Sequence, residues 1–157
     1  LQWVAQTALA DFNGNVIFLS HTGIDYETCG GSYGDGLREI LTAFNGRTVY
    51  NNPSLGINVD YTTLGDGKIM SFQGGHKHSE AYYFTKDVKL WQIISGTASV
   101  KGGNDTDFTS PNVTWQYLYR NWRGEFEACY DIMSVSDEVI YKFNIGAGYD
   151  KKLLLPN

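Results

Sequence analysis

The stretches Asn15-Val-Ile-Phe-Leu-Ser-His21 and Lys68-Ile-Met-Ser-Phe-Gln-Gly-Gly-His-Lys-His78 decide the fold of this 157-residue chain. Each contains a short apolar run of the length and composition of a buried strand, and each ends in histidine. In open α/β sheets, ligands bind just outside the carboxyl ends of the strands. The three histidines of the chain, His21, His76 and His78, are therefore predicted to face one crevice and to form a metal site.

The spacing of His76 and His78 supports this prediction. In an extended segment, positions i and i+2 point to the same side, so both rings can approach one ion or two adjacent ions while Lys77 points away. The preceding Gly74 and Gly75 have no β-carbon, which lets the backbone and a metal-bound substrate come close to this turn. The alternative is that each histidine is an ordinary surface or core residue.

Helical and extended periods alternate in the first half of the chain. Apolar residues at helical spacing predict one helix before the first histidine strand and a second helix after a loop over 22–32. The residues that mark these two helices are Leu1, Val4, Ala5, Ala8, Leu9 and Phe12, then Leu37, Ile40, Leu41 and Phe44. Residues 47–66 are polar and broken by Pro53, which predicts a short strand and a loop. This alternation favours a layered α/β arrangement.

After Glu80 the pattern becomes β. Ala81-Tyr-Tyr-Phe-Thr85 and Leu90-Trp-Gln-Ile-Ile-Ser95 predict a hairpin, and residues 125–134 and 139–145 predict a closing hairpin. Residues 97–111 are rich in Gly, Asn, Asp and Ser and are predicted to form a long loop.

These motifs resemble the calcineurin-like metallophosphoesterases, in which one strand ends in His and a later strand ends in Gly-His-x-His. Here the two motifs are Val16-Ile-Phe-Leu-Ser-His21 and Gly75-His-Lys-His78. The closing segment Phe143-Asn-Ile-Gly-Ala-Gly-Tyr-Asp-Lys151 is similar to the end of a bacterial and phage branch of that family. The resemblance implies that residues 1–157 are one domain, the C-terminal portion of the family's four-layer domain, with flanking helices first and β-hairpins later.

The resemblance also implies a function, the hydrolysis of phosphomonoesters or phosphodiesters at two divalent ions. His21 and His76 would bind one ion and His78 the other, and Mn, Fe, Zn or Ni would suit the mixed ligands. The family's earlier Asp-x-His and Gly-Asn-His motifs do not occur in this sequence, and the two Gly-Asp strings, Gly34-Asp35 and Gly65-Asp66, come after the strand that ends in His21, the wrong order for the family. We therefore expect the chain to be inactive alone and to need the missing half as a partner, on a separate or cleaved chain.

The amino-acid composition argues against some classes of binding partner. A net charge of -5 with scattered Lys and Arg argues against a nucleic-acid surface. No apolar stretch reaches the roughly 18–20 residues that cross a bilayer. The first residues lack the charged n-region of a signal peptide, which favours the cytoplasm without fixing the compartment. Because Leu1 opens the chain within a predicted helix, we expect processing, proteolysis or truncation.

Two other functions remain open at the level of sequence. Four Trp, eleven Tyr and eight Phe suit a carbohydrate- or cell-surface-binding β-rich module, with Trp115-Gln-Tyr-Leu-Tyr119 and Trp122 in or next to the long loop. Aromatic residues also populate strands and cores by default. The second alternative is a mononuclear zinc hydrolase in which the three histidines bind Zn²⁺ and water fills the fourth position.

Overall fold

A computed structural model describes residues 1–24, 35–75, 80–94, 114–116, 130–145 and 150–155. The helical elements in these ranges are a π-helix (Val4–Ala8), an α-helix, α1 (Asp35–Gly46), and a 3-10 turn (Pro53–Leu55). The strands are β1 (Val16–Leu19), β2 (Val49–Asn52), β3 (Ile57–Asp60), β4 (Ile69–Gly74), β5 (Glu80–Thr85), β6 (Leu90–Ile94), β7 (Thr114–Gln116), β8 (Tyr130–Val135), β9 (Val139–Ile145) and β10 (Lys151–Leu154). The protein is thus mixed α/β and mostly strand.

The central sheet has five strands in the order β1-β4-β6-β5-β7. Strands β1, β4 and β6 are parallel, and β5 runs antiparallel to both β6 and β7. The ladder between β1 and β4 shifts register between Val16 and Ile17, whose partners are Ile69 and Ser71, so Met70 is an extra residue in β4. Three strands therefore end at one carboxyl edge of this sheet.

One face of the central sheet packs against α1, the π-helix and the β2–β3 hairpin. Leu37, Ile40, Leu41 and Phe44 recur at helical spacing and are buried against the sheet, which confirms the predicted second helix. The Phe44 ring meets the edge of the Tyr61 ring at 5.3 Å. Burial of this apolar stripe fixes α1 on the sheet.

The other face packs against a second sheet of three strands in the order β10-β9-β8. The two sheets share a smaller core made of Met70, Tyr82, Ile93, Ile140, Leu153 and Leu155. Lys142 is also enclosed, at 1% exposure, and its Nζ lies 3.0 Å from Oδ1 of Asp131. The described residues therefore form three layers: helices and a hairpin, the central sheet, and the smaller sheet.

The structure corrects two local predictions. Residues 47–66, predicted as one short strand and a loop, contain the antiparallel β2–β3 hairpin around the 3-10 turn. The first helix is wound as a π-helix, with the N–H of Leu9 donating to the carbonyl of Val4 at 3.1 Å. Trp115 belongs to β7 at the edge of the central sheet, next to the residues predicted as a long loop.

The predicted hairpins of the second half are confirmed where the structure describes them. Strands β5 and β6 pair in register around residues 86–89, and β8 pairs with β9 around residues 136–138. The chain then adds β10 antiparallel to β9, so the tail returns along this sheet. Most of residues 22–32 and all of 97–111, both predicted as loops, lie outside the described residues.

Candidate functional site

The carboxyl ends of β1 and β4 lie side by side. The N–H of Ser20 donates to the carbonyl of Gln73 at 2.8 Å, and the N–H of Gly75 donates to the carbonyl of His21 at 3.0 Å. His21 itself is exposed at this edge. The ladder thus continues one step past both strands and joins the backbone of His21 to the residue that precedes His76 in sequence.

Beyond His21 the chain crosses the end of β4. We call residues 21–24 the strap. A β-carbon on Gly74 would lie 3.2 Å from the carbonyl carbon and oxygen of Thr22 and 3.3 Å from the nitrogen of Gly23. Only a residue without a side chain fits under the strap without displacing it.

The far end of the strap is attached to β6. Ile24 is 2% exposed and packs in the helix-side core, and its N–H donates to Oε1 of Gln92 at 3.0 Å. The amide nitrogen of Gln92 donates in turn to Oγ1 of Thr85 at 2.8 Å. Gln92 and Thr85 are both fully buried, so each end of this amide has a buried partner.

A polar cluster lies below the same edge, between the two sheets. Tyr82 stands opposite Ile93, which stands opposite Gln73, so Tyr82 is at the level of the last residues of β4. Nζ of Lys142 is 5.2 Å from the centre of the Tyr82 ring. The amide of Gln73 contacts Sδ of Met133 on β8 at 3.2 Å. The interior near the carboxyl edge is therefore more polar than the rest of the core.

The sequence predicts three metal ligands, and only one of them lies within the residues that the structure describes. His21 follows β1 at the carboxyl edge, while His76 and His78 lie outside the described residues. Within the described ranges, no three His, Cys, Asp or Glu side chains form a group that could hold a metal ion. The convergence of the three rings thus stays a prediction.

Sequence reasoning missed Gln92 and Lys142. Gln92 interrupts the apolar run Leu90-Trp-Gln-Ile-Ile94, and a polar residue inside such a run is a signal for a buried, satisfied side chain. Lys142 sits in an alternating stretch of β9 whose neighbours Tyr141 and Phe143 are exposed at 37% and 46%. Its burial follows from the pleat, because it shares the inner face with Ile140.

No family model matches the chain, and no curated protein is significantly similar to it. Across the part of the chain that the structure describes, no helix is long and apolar enough to cross a membrane.

Proposed function

We propose that this chain contributes the last histidine ligands, His21, His76 and His78, to the divalent metal site of a phosphoester hydrolase. The partner is the polypeptide that carries the remaining ligands. The substrate is a phosphomonoester or phosphodiester.

The observation that carries this proposal is the hydrogen bond from the N–H of Gly75 to the carbonyl of His21. Since β1 and β4 are parallel neighbours, this bond sets His21 beside the segment from which His76 and His78 follow. The carboxyl edge of parallel strands is where α/β sheets bind ligands.

The donor chemistry at this edge fits a divalent transition metal. His21 is exposed at the end of its strand, and imidazole suits Mn, Fe, Zn and Ni. A bound ion would polarise a phosphoryl oxygen and acidify a water molecule. The role of this chain is to bind the metal ion through its histidines and to orient those ligands. The N–H of Gly75 is already used by His21, so the backbone there is not a donor to an oxyanion.

Metal titration followed by nuclear magnetic resonance tests the proposal. Millimolar Mn²⁺ is expected to broaden the amide signals of residue 21 and Gly75 in the wild type, and His21→Ala should need a higher Mn²⁺ concentration for the same broadening because one ligand is missing. Lys77→Ala is the matched control, because Lys77 is predicted to point away from the ligands, and it should behave like the wild type. An absence of broadening at His21 in the wild type would overturn the proposal.

Zinc stoichiometry separates the half-site from the mononuclear alternative. Calorimetric titration of the wild type should show weak Zn²⁺ binding if carboxylate ligands from a partner are required. Tight binding of one Zn²⁺ per chain, lost in His21→Ala, would instead favour the three-histidine zinc site.

Activity provides an independent check. The isolated chain should hydrolyse bis-p-nitrophenyl phosphate poorly even with Mn²⁺, because half of the ligands are missing. Turnover in the range of a complete enzyme, roughly 1–1,000 per second, would mean that the chain needs no partner.

A further inference from the structure

The strap over β4 is held at both ends by hydrogen bonds that come from different strands. At its start, the carbonyl of His21 accepts from Gly75 after β4, and at its end the N–H of Ile24 donates to Gln92 on β6. Between these points the strap lies so close to Gly74 that a β-carbon on Gly74 would be 3.2 Å from the carbonyl carbon of Thr22. The position of His21 therefore depends on a residue two strands away.

Gln92 is suited to this task by both ends of its amide. Its oxygen accepts from the strap, and its nitrogen donates to the Thr85 hydroxyl, which fixes the orientation of the amide plane. A fully buried amide is costly unless both ends are paired, and an apolar residue here would leave the Ile24 N–H without an acceptor. Packing alone would favour an aliphatic residue at this position of β6, which otherwise reads Leu90-Trp91 and Ile93-Ile94.

We propose that Gln92 is a positioning residue for the metal site: it holds the strap against the end of β4 and so sets where the His21 imidazole stands. The predicted change in metal binding rests on the proposed function, whereas the predicted change in the strap does not depend on it. Loss of the hydrogen bond from Ile24 to Gln92 would let the strap move away from Gly74. The hydrogen bond between Gly75 and His21 would then weaken, and the His21 imidazole would no longer be held in one position.

Three variants test the role of the amide. Gln92→Leu keeps a similar volume and removes the hydrogen bonds to Ile24 and Thr85. Gln92→Glu keeps an oxygen acceptor for Ile24, and the Thr85 hydroxyl can turn to donate to the second oxygen, so it should restore the strap. Ile93→Val is the control, since Ile93 is equally buried but faces the smaller sheet and is not in contact with the strap.

Two measurements are made on each variant. Amide hydrogen exchange at Ile24 should become faster than in the wild type in Gln92→Leu and should stay slow in Gln92→Glu and Ile93→Val. The Mn²⁺ concentration that half-broadens the His21 signal should rise at least about 10-fold in Gln92→Leu, the size of effect seen when a residue that orients a ligand is removed. It should change less than twofold or so in Ile93→Val, even at an equal loss of melting temperature.

The outcomes separate this inference from the proposed function. If the wild type binds Mn²⁺ at His21 and Gln92→Leu binds it equally well, Gln92 has no positioning role. If the wild type binds no metal, the proposed function fails, and unchanged Ile24 exchange in Gln92→Leu would also overturn the role of Gln92. Should Gln92→Leu not fold, Thr85→Val replaces it, because it leaves the amide unoriented, and the same two measurements decide.

Discussion

The two ends of the β1–β4 pair are built differently. At the amino end, backbone lies directly on backbone: a β-carbon on Gly67 would collide with the carbonyl oxygen of Gly14. Asn15 reinforces this end, because its Oδ1 accepts from the N–H of Lys68 at 3.1 Å. At the carboxyl end, by contrast, the strap crosses Gly74 and leaves His21 exposed. The amino end is closed by packing, and the carboxyl end presents side chains.

The space between the two sheets also differs between the amino end and the carboxyl end. Near the amino end, the space between the two sheets is apolar, with Met70, Ile140 and Leu153 buried together. Near the carboxyl end it holds the Lys142–Asp131 ion pair beside Tyr82. Between the two sheets, the buried ion pair thus lies toward the end where a ligand site is proposed.

The largest expected effect comes from Lys142→Ala. Removing the ammonium takes away the Lys142 ion pair of Asp131, whose side chain is 14% exposed, and opens a cavity beside Tyr82. The free energy of unfolding should fall by about 3 kcal/mol, measured by urea denaturation. The double variant Lys142→Met, Asp131→Leu removes both charges and should recover most of that loss. Equal instability of the single and double variants would show that packing, not charge, matters at this end.

Gly67→Ala probes the amino end. The new β-carbon would collide with the backbone of Asn13 and Gly14, which cannot give way as a flexible side chain could. We expect a loss of about 2 kcal/mol or more in the free energy of unfolding. Gly46→Ala is the matched control, because its β-carbon would lie 3.9 Å from Thr48 Cγ2, and it should be neutral or gain up to about 1 kcal/mol. A Gly67 variant as stable as the Gly46 variant would contradict the tight packing described for this end.

The hydroxyl of Tyr61 makes the stability of the protein depend on pH in the alkaline range. Burial raises the pKa of its hydroxyl to about 12, and the hydroxyl donates to the carbonyl of Ala5 at 3.0 Å. A raised pKa means that the folded state holds the proton more tightly, so this contribution is complete below pH 10 or so and is lost as pH rises toward 12.

Comparison with Tyr61→Phe isolates that contribution. The variant should lose about 1 kcal/mol of stability at pH 8 through the missing hydrogen bond. Its disadvantage relative to the wild type should shrink by about 1 kcal/mol at pH 11, because only the wild type must keep a buried phenol protonated. Thermal unfolding at the two pH values measures both differences. A constant difference between the two proteins would show that Tyr61 does not titrate as described.

His21→Ala should have the smallest effect on stability. Its side chain is exposed, and its backbone bond to Gly75 does not need the imidazole. The free energy of unfolding should stay within about 0.5 kcal/mol of the wild type, measured by urea denaturation. A large loss would mean that His21 is a structural residue and would remove the contrast between the two ends.

Sequence periodicity predicted much of this fold because the decisive residues are local. The stripe from Leu37 to Phe44, the two histidine strands and both later hairpins follow from spacing alone. The β2–β3 hairpin is hard to predict from sequence because Pro53 interrupts the segment, although Ile57-Asn-Val-Asp60 alternates buried and exposed residues. The exposed positions of this strand are polar, so the segment contains few apolar residues that could indicate a strand.

The candidate site was less accessible to sequence reasoning. His21 could be assigned to the end of a strand from the run that precedes it. Its support could not, because the bond from Ile24 to Gln92 joins residues 68 positions apart. The Lys142–Asp131 pair was hidden for a related reason: which face of β9 is covered depends on the packing of the two sheets.

The most direct test of the central claim is anomalous diffraction at the zinc edge from crystals of the chain soaked in Zn²⁺. We expect a peak about 2.1 Å from ring nitrogens of both His21 and His76, at the carboxyl edge of β1 and β4. A zinc peak bound without His21, or His21 and His76 on opposite edges of the sheet, would contradict it.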